Sequence, residues 1–62
     1  MSRADFGRFL ELATGSLFEV VSQSAIALRQ GLLNQESHGR IYAAADEQSR
    51  MLSGLRKSLT RN

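Results

Sequence analysis

The chain has no cysteine, no proline and no tryptophan. Without cysteine there is no disulfide and no thiolate metal site. Without proline no residue removes a backbone N–H donor from within a helix. One His with scattered carboxylates makes a structural zinc a poor expectation. Charge of one sign is also scarce. Eight Lys and Arg stand against six Asp and Glu, a formal net charge of +2. That is too small to argue for nucleic acid by itself. Long apolar runs are missing as well. The longest uncharged stretch, Val20 to Leu28, includes Ser22, Gln23 and Ser24 and is too short to span a bilayer. Met1-Ser2-Arg3-Ala4-Asp5 carries no apolar signal core. A soluble cytoplasmic protein without membrane contact is the expectation.

What the chain does have is helix formers and a repeat. Ala, Leu, Arg, Gln and Glu abound, all favourable in helices. Phe6, Leu10, Ala13, Leu17, Val20, Ser24 and Ala27 are spaced alternately four and three apart. So are Ile41, Ala45, Gln48, Leu52, Leu55 and Leu59. Each set runs about three heptads, the pattern of helices that bury a seam against other helices.

The helix ends are marked. Ser2 suits an N-cap, with Asp5 three residues on and close to the positive end of the helix dipole. Gly31 suits the left-handed position after a helix, and Asn34 suits the cap of the next. The spacing predicts one helical-hairpin domain over residues 1–62. Its first helix covers about 3–30, its link 31–34 and its second helix about 35–60. Equal lengths and a short link predict an antiparallel pair.

Two such helices cannot enclose a core. Ordering 62 residues costs on the order of 90 kcal/mol at roughly 1.5 kcal/mol per residue. Chains of this size usually rely on disulfides, a metal or a partner. A second stripe on the first helix, Phe18, Val21, Ala25, Leu28 and Leu32, widens its apolar sector beyond one seam. Such width suits a helix with two neighbours in a four-helix bundle. The all-α hairpin is therefore expected to dimerise. Its assigned core is Phe6, Phe9, Leu10, Ala13, Leu17, Val20, Val21, Leu28, Ile41, Ala45, Leu52, Leu55 and Leu59. Phe6, Phe9, Leu10, Leu17, Phe18, Val21, Leu28, Leu52 and Leu55 are the expected oligomer interface. Gly15 and Ser16, small among bulky residues, would let another helix approach. Ser24 and Gln48 are polar on the seams: they either fix register or lie wet at a rim.

Chemistry is harder to find. No nucleophile has a base and an orienting group at readable spacing. His38, beside Gly39, reads as an exposed residue of the second helix's first turn. No phosphate loop, dinucleotide fingerprint or metal-ligand spacing occurs. Glu11 and Glu19 flank the first seam and could pair with Arg50 or Arg56. No enzyme activity, cofactor or small-molecule substrate is expected.

An antiparallel hairpin gathers Arg3, Arg8, Arg56, Lys57 and Arg61 at its open end. Cations in a last turn complement the helix dipole and need no other reason. Their alternative role is contact with phosphate, independent of sequence and weakened by salt.

The segment DFGRFLELATGSLFE, Asp5 to Glu19, resembles a helix of the four-helix-bundle proteins encoded in ribosomal-RNA intervening sequences. Their pattern EF-x-RFL-x-x-A-x-GSL-x-E is matched at Phe6, Arg8, Phe9, Leu10, Ala13, Gly15, Ser16, Leu17 and Glu19. Gly31, Leu33 and Asn34 are similar to the family's turn. Met51, Leu52, Leu55, Ser58 and Leu59 are similar to its closing helix. The likeness is to the second helix pair only. The first pair, with its S-I-x-x-N-I-A-E-G stretch, has no counterpart here. The resemblance therefore implies that another copy or another chain completes the bundle. It also implies, by likeness to accessory proteins of diversity-generating retroelements, an association with nucleic acid.

Overall fold

The structure is a computed structural model that describes residues 2–60. Two helices account for most of them: α1, Arg3–Arg29, and α2, Gln35–Thr60. Arg61 of the expected basic cluster lies outside the described residues.

Local chemistry sets each boundary. The Asp5 N–H donates to Ser2 Oγ at 3.0 Å, and the Phe6 N–H donates to the Ser2 carbonyl at 3.0 Å. This closes the first turn of α1. Its end comes one residue before Gln30, which caps it. Gly31 has φ +78. Its N–H donates to the Leu28 carbonyl at 3.1 Å, and the Leu32 N–H donates to the Ala27 carbonyl at 2.9 Å. These two bonds form a Schellman turn, whose left-handed residue favours glycine. Three residues on, Asn34 Oδ1 accepts from the Ser37 N–H at 2.8 Å, and its carbonyl accepts from the His38 N–H at 3.0 Å. The second helix starts there.

The helices pack against each other as an antiparallel hairpin. Near the turn, Ser24 Oγ of α1 lies 3.0 Å from His38 Nδ1 of α2. At the open end, a Cβ on Gly7 would lie 3.9 Å from Leu59 Cδ1. The Cα trace extends 47 × 16 × 13 Å with a radius of gyration of 14.4 Å. A compact chain of this length would have a radius of about 10.6 Å. The hairpin is a rod one helix thick, so both its broad faces meet solvent.

The seam follows the apolar pattern at first and then turns. Leu10 is 1% exposed, and Phe6, Ala13 and Leu17 are half-buried. Further along, Val21 faces α2 while Val20 is exposed. On α2 the seam uses His38, Ile41, Ala45, Ser49, Leu52 and Leu59, and leaves Gln48 and Leu55 outside it. Phe9, Val20 and Leu55, assigned to the core of a dimer, are thus exposed in the single hairpin.

His38 departs from the expectation of an exposed side chain. It is half-buried against Ser24, which is itself 7% exposed. The Ser24 hydroxyl donates its proton to the Val21 carbonyl at 2.9 Å. With the Ser24–His38 hydrogen bond, both groups are paired. Ser24 is a paired seam residue and not a wet rim residue. One helical turn brings His38 onto the same face as Ile41 and Ala45.

Candidate assembly surface and basic end

Buried hydrophobic residues among those described are only Leu10 and Ala45. Large apolar side chains instead lie open: Phe18 is 68% exposed, Leu12 67%, Met51 58% and Phe9 54%. Phe9, Met51 and Phe18 line two grooves, one on each broad face of the rod, and Leu12 lines neither. One groove is lined by Phe9, Ala13, Ser16, Leu17, Gln48, Met51, Leu52 and Leu55. The other is lined by Thr14, Leu17, Phe18, Val21, Tyr42, Ala45, Asp46 and Ser49. Leu17 belongs to both.

The grooves differ in chemistry. The first has no charged side chain in its lining. Its aromatic edge is Phe9, stacked on Phe6 with ring centroids 6.4 Å apart. The second carries the Tyr42 phenol, the Thr14 hydroxyl, which donates to the Leu10 carbonyl at 2.8 Å, and the Asp46 carboxylate. That carboxylate accepts from Arg50 at 3.0 Å. Of the expected interface residues, Phe9, Leu17, Leu52 and Leu55 line the first groove. Leu17, Phe18 and Val21 line the second. Leu10 fills the seam between the helices, and Phe6 and Leu28 are half-buried at opposite ends of α1.

Gly15 has nothing within 4 Å of where a Cβ would stand. It does not serve close approach between α1 and α2. Its neighbour Ser16 is the residue that faces the uncharged groove, a distinction that spacing alone did not make.

The expected pairing of Glu11 or Glu19 with Arg50 or Arg56 is not formed among the described residues. Arg50 bonds Asp46 one turn away, and Arg40 bonds Glu36 at 2.9 Å in the same way. Both pairs are exposed pairs within α2, worth about 0.3–0.5 kcal/mol each.

At the open end Arg3, Arg8, Arg56 and Lys57 are all exposed. The Gly7–Leu59 approach brings the two helix ends carrying them together. Asp5 and Glu11, each three residues from Arg8, are the carboxylates near them in sequence. Neither of the two ion pairs among the described residues involves these cations. No group of three or more His, Cys, Asp or Glu able to hold a metal occurs among the described residues. Neither helix is long and apolar enough to cross a membrane.

A family model described as 23S rRNA-intervening sequence protein matches residues 1–54. The chain belongs to that family. Curated proteins and solved structures give no match. The membership accords with the motif likeness between Asp5 and Glu19. In this 23S rRNA intervening-sequence protein that segment forms the first half of α1, and it supplies Phe9, Ala13, Ser16 and Leu17 to the uncharged groove.

Proposed function

We propose that this member of the family is a non-enzymatic, self-assembling helical module of the cytoplasm. Two hairpins pair to make a four-helix bundle. The observation that carries this reading is the mismatch between surface and size. The accessible surface is 5039 Å². A compact monomer of 6.9 kDa would expose roughly 4,000 Å². The excess, about 1,000 Å², matches one partner's share of a standard interface, about 800 Å². Exposed Phe, Leu, Met and Val side chains on one side of a rod are what such an interface consumes.

Light scattering at micromolar concentration tests it. The expected mass is twice the 6.9 kDa of the chain. The melting midpoint should also rise with protein concentration, because association and folding are linked. A cooperatively melting monomer would overturn the reading.

A second reading rests on the open end. Four exposed cations with two nearby carboxylates, Asp5 and Glu11, can lie along a phosphate backbone. Phe6 and Phe9 are stacked on one another at that end, so bases gain no free ring pair there. Contact would therefore be with phosphate, and the affinity would fall steeply as salt rises. A titration of duplex DNA and of structured RNA at low and moderate salt checks this. Arg8→Ala/Arg56→Ala/Lys57→Ala should bind more weakly to both, and lower the salt slope by about three. Equal binding by that variant, or none by the native chain, would leave these cations as helix-end charges only.

A further inference from the structure

Resting on the self-assembly reading, we propose which face joins the two copies and in which direction. The uncharged groove of one hairpin takes the same groove of a second copy, with the two turns at opposite ends. Ser16 and Gln48 then lie beside the two-fold axis.

The choice of face follows from charge. Moving a charged group out of water is costly unless it is paired, whereas apolar groups gain from the move. The groove between Phe9 and Leu55 buries no charge when covered. The opposite groove would bury Asp46 and disturb its bond to Arg50. Apolar area is also richer on the first side. Leu12 is three residues from Phe9 and four from Ser16, so it borders the same face, and Val20 follows Ser16 by one turn. Both are open in the single hairpin, Leu12 at 67% and Val20 at 49%.

The direction follows from position and charge together. Ser16 is the midpoint of α1 and Gln48 is next to the midpoint of α2. Both line the uncharged groove. An axis through them crosses the rod at half its length and lays α1 antiparallel to its own copy. Leu12, four residues before Ser16, then meets Val20 of the partner subunit, four residues after it. The small Ser16 lets the two helices approach at the centre. Gln48 has both a donor and an acceptor, so it can pair with its own symmetry mate.

Turning the second copy end for end also separates like charges. Among the described residues the open end bears Arg3, Arg8, Arg56 and Lys57 against Asp5 and Glu11, an excess of two. The turn end bears Arg29 and Arg40 against Glu36, an excess of one. With turns opposed, an excess of two meets an excess of one. With turns together, two meets two. The like-charged open ends then stand about 40 Å apart, several screening lengths in physiological salt.

Single cysteines report the arrangement cleanly, because the chain has none of its own. In the native-mass dimer, Ser16→Cys should form a disulfide with its own copy under mild oxidation, and Gln48→Cys should do the same. Ser49→Cys, on the opposite groove, should not. With the turns together, α1 would face α2 of the other copy. Ser16→Cys mixed with Gln48→Cys would then cross-link in place of either alone, and that result overturns the direction. Cross-linking through Ser49→Cys overturns the face. Two further variants test the face without chemistry, matched in their starting exposure. Leu12→Glu should raise the dissociation constant at least tenfold, and Phe18→Glu should leave it within twofold. The reverse order assigns the interface to the other groove. A native chain that stays monomeric removes the assembly reading itself, a different result from a dimer with the wrong cross-links.

Discussion

Leu17→Asp should abolish helicity and association together. Leu17 stands at the ridge between the two grooves and lines both. It also lies on the seam that faces α2. A carboxylate there must be desolvated without a partner, or must hold the helices apart. Either outcome costs several kcal/mol. The hairpin has little with which to offset that loss, since its only buried hydrophobic residues among those described are Leu10 and Ala45. Far-UV circular dichroism and light scattering on the same sample decide it. A variant that remains helical and monomeric would show that the hairpin is stable alone, and that folding and pairing are separate events.

Leu10→Ala should have the second largest effect. Leu10 is 1% exposed, the most enclosed side chain described. Removing three carbons leaves a void between two rods that cannot collapse far without losing the rest of the seam. Comparable substitutions in other cores cost about 2–5 kcal/mol. Denaturant titration should show a lower midpoint at every protein concentration. Ile26→Ala is the control: Ile26 is 45% exposed, and its loss should cost well under 1 kcal/mol. Equal effects at the two sites would mean that the seam runs along a different side of α1.

The helix boundaries were legible in the sequence because they depend on bonds within a few residues. Ser2, Gly31 and Asn34 do what their side chains or backbone freedom allow, whatever lies across from them. The later seam was less legible. Seven residues at 3.6 per turn fall short of two full turns by about 20°. A strict heptad therefore drifts around a straight helix. Phe6 and Ala13 still face α2, but by the third heptad Val21 has replaced Val20. Gln48 and Leu55 slip out of the seam of α2 for the same reason, and Ser49 moves in. His38 reads as exposed in the sequence because a polar residue in a first turn ordinarily meets water. Its buried partner, Ser24, stands fourteen residues earlier, and no local pattern joins the two. The two grooves were legible only as an excess of apolar width on α1. Their unequal charge came from the pairing of the helices, which sets Asp46 beside Phe18 in one groove and Gln48 beside Ser16 in the other.

The left-handed backbone at Gly31 also governs which chain each helix belongs with. Had the link stayed right-handed, α1 and α2 could run on as one long helix, and two such chains could exchange halves. Ser24 of one molecule would then meet His38 of another in the same hydrogen bond. Side-chain contacts alone cannot distinguish that swapped form from the hairpin, because both satisfy the same seam. The sharp reversal at Gly31, held by the Ala27 and Leu28 carbonyls and followed by the Asn34 cap, closes each chain on itself first. Exchange of halves would have to break those bonds before any seam could re-form, so the turn keeps each hairpin a self-contained unit.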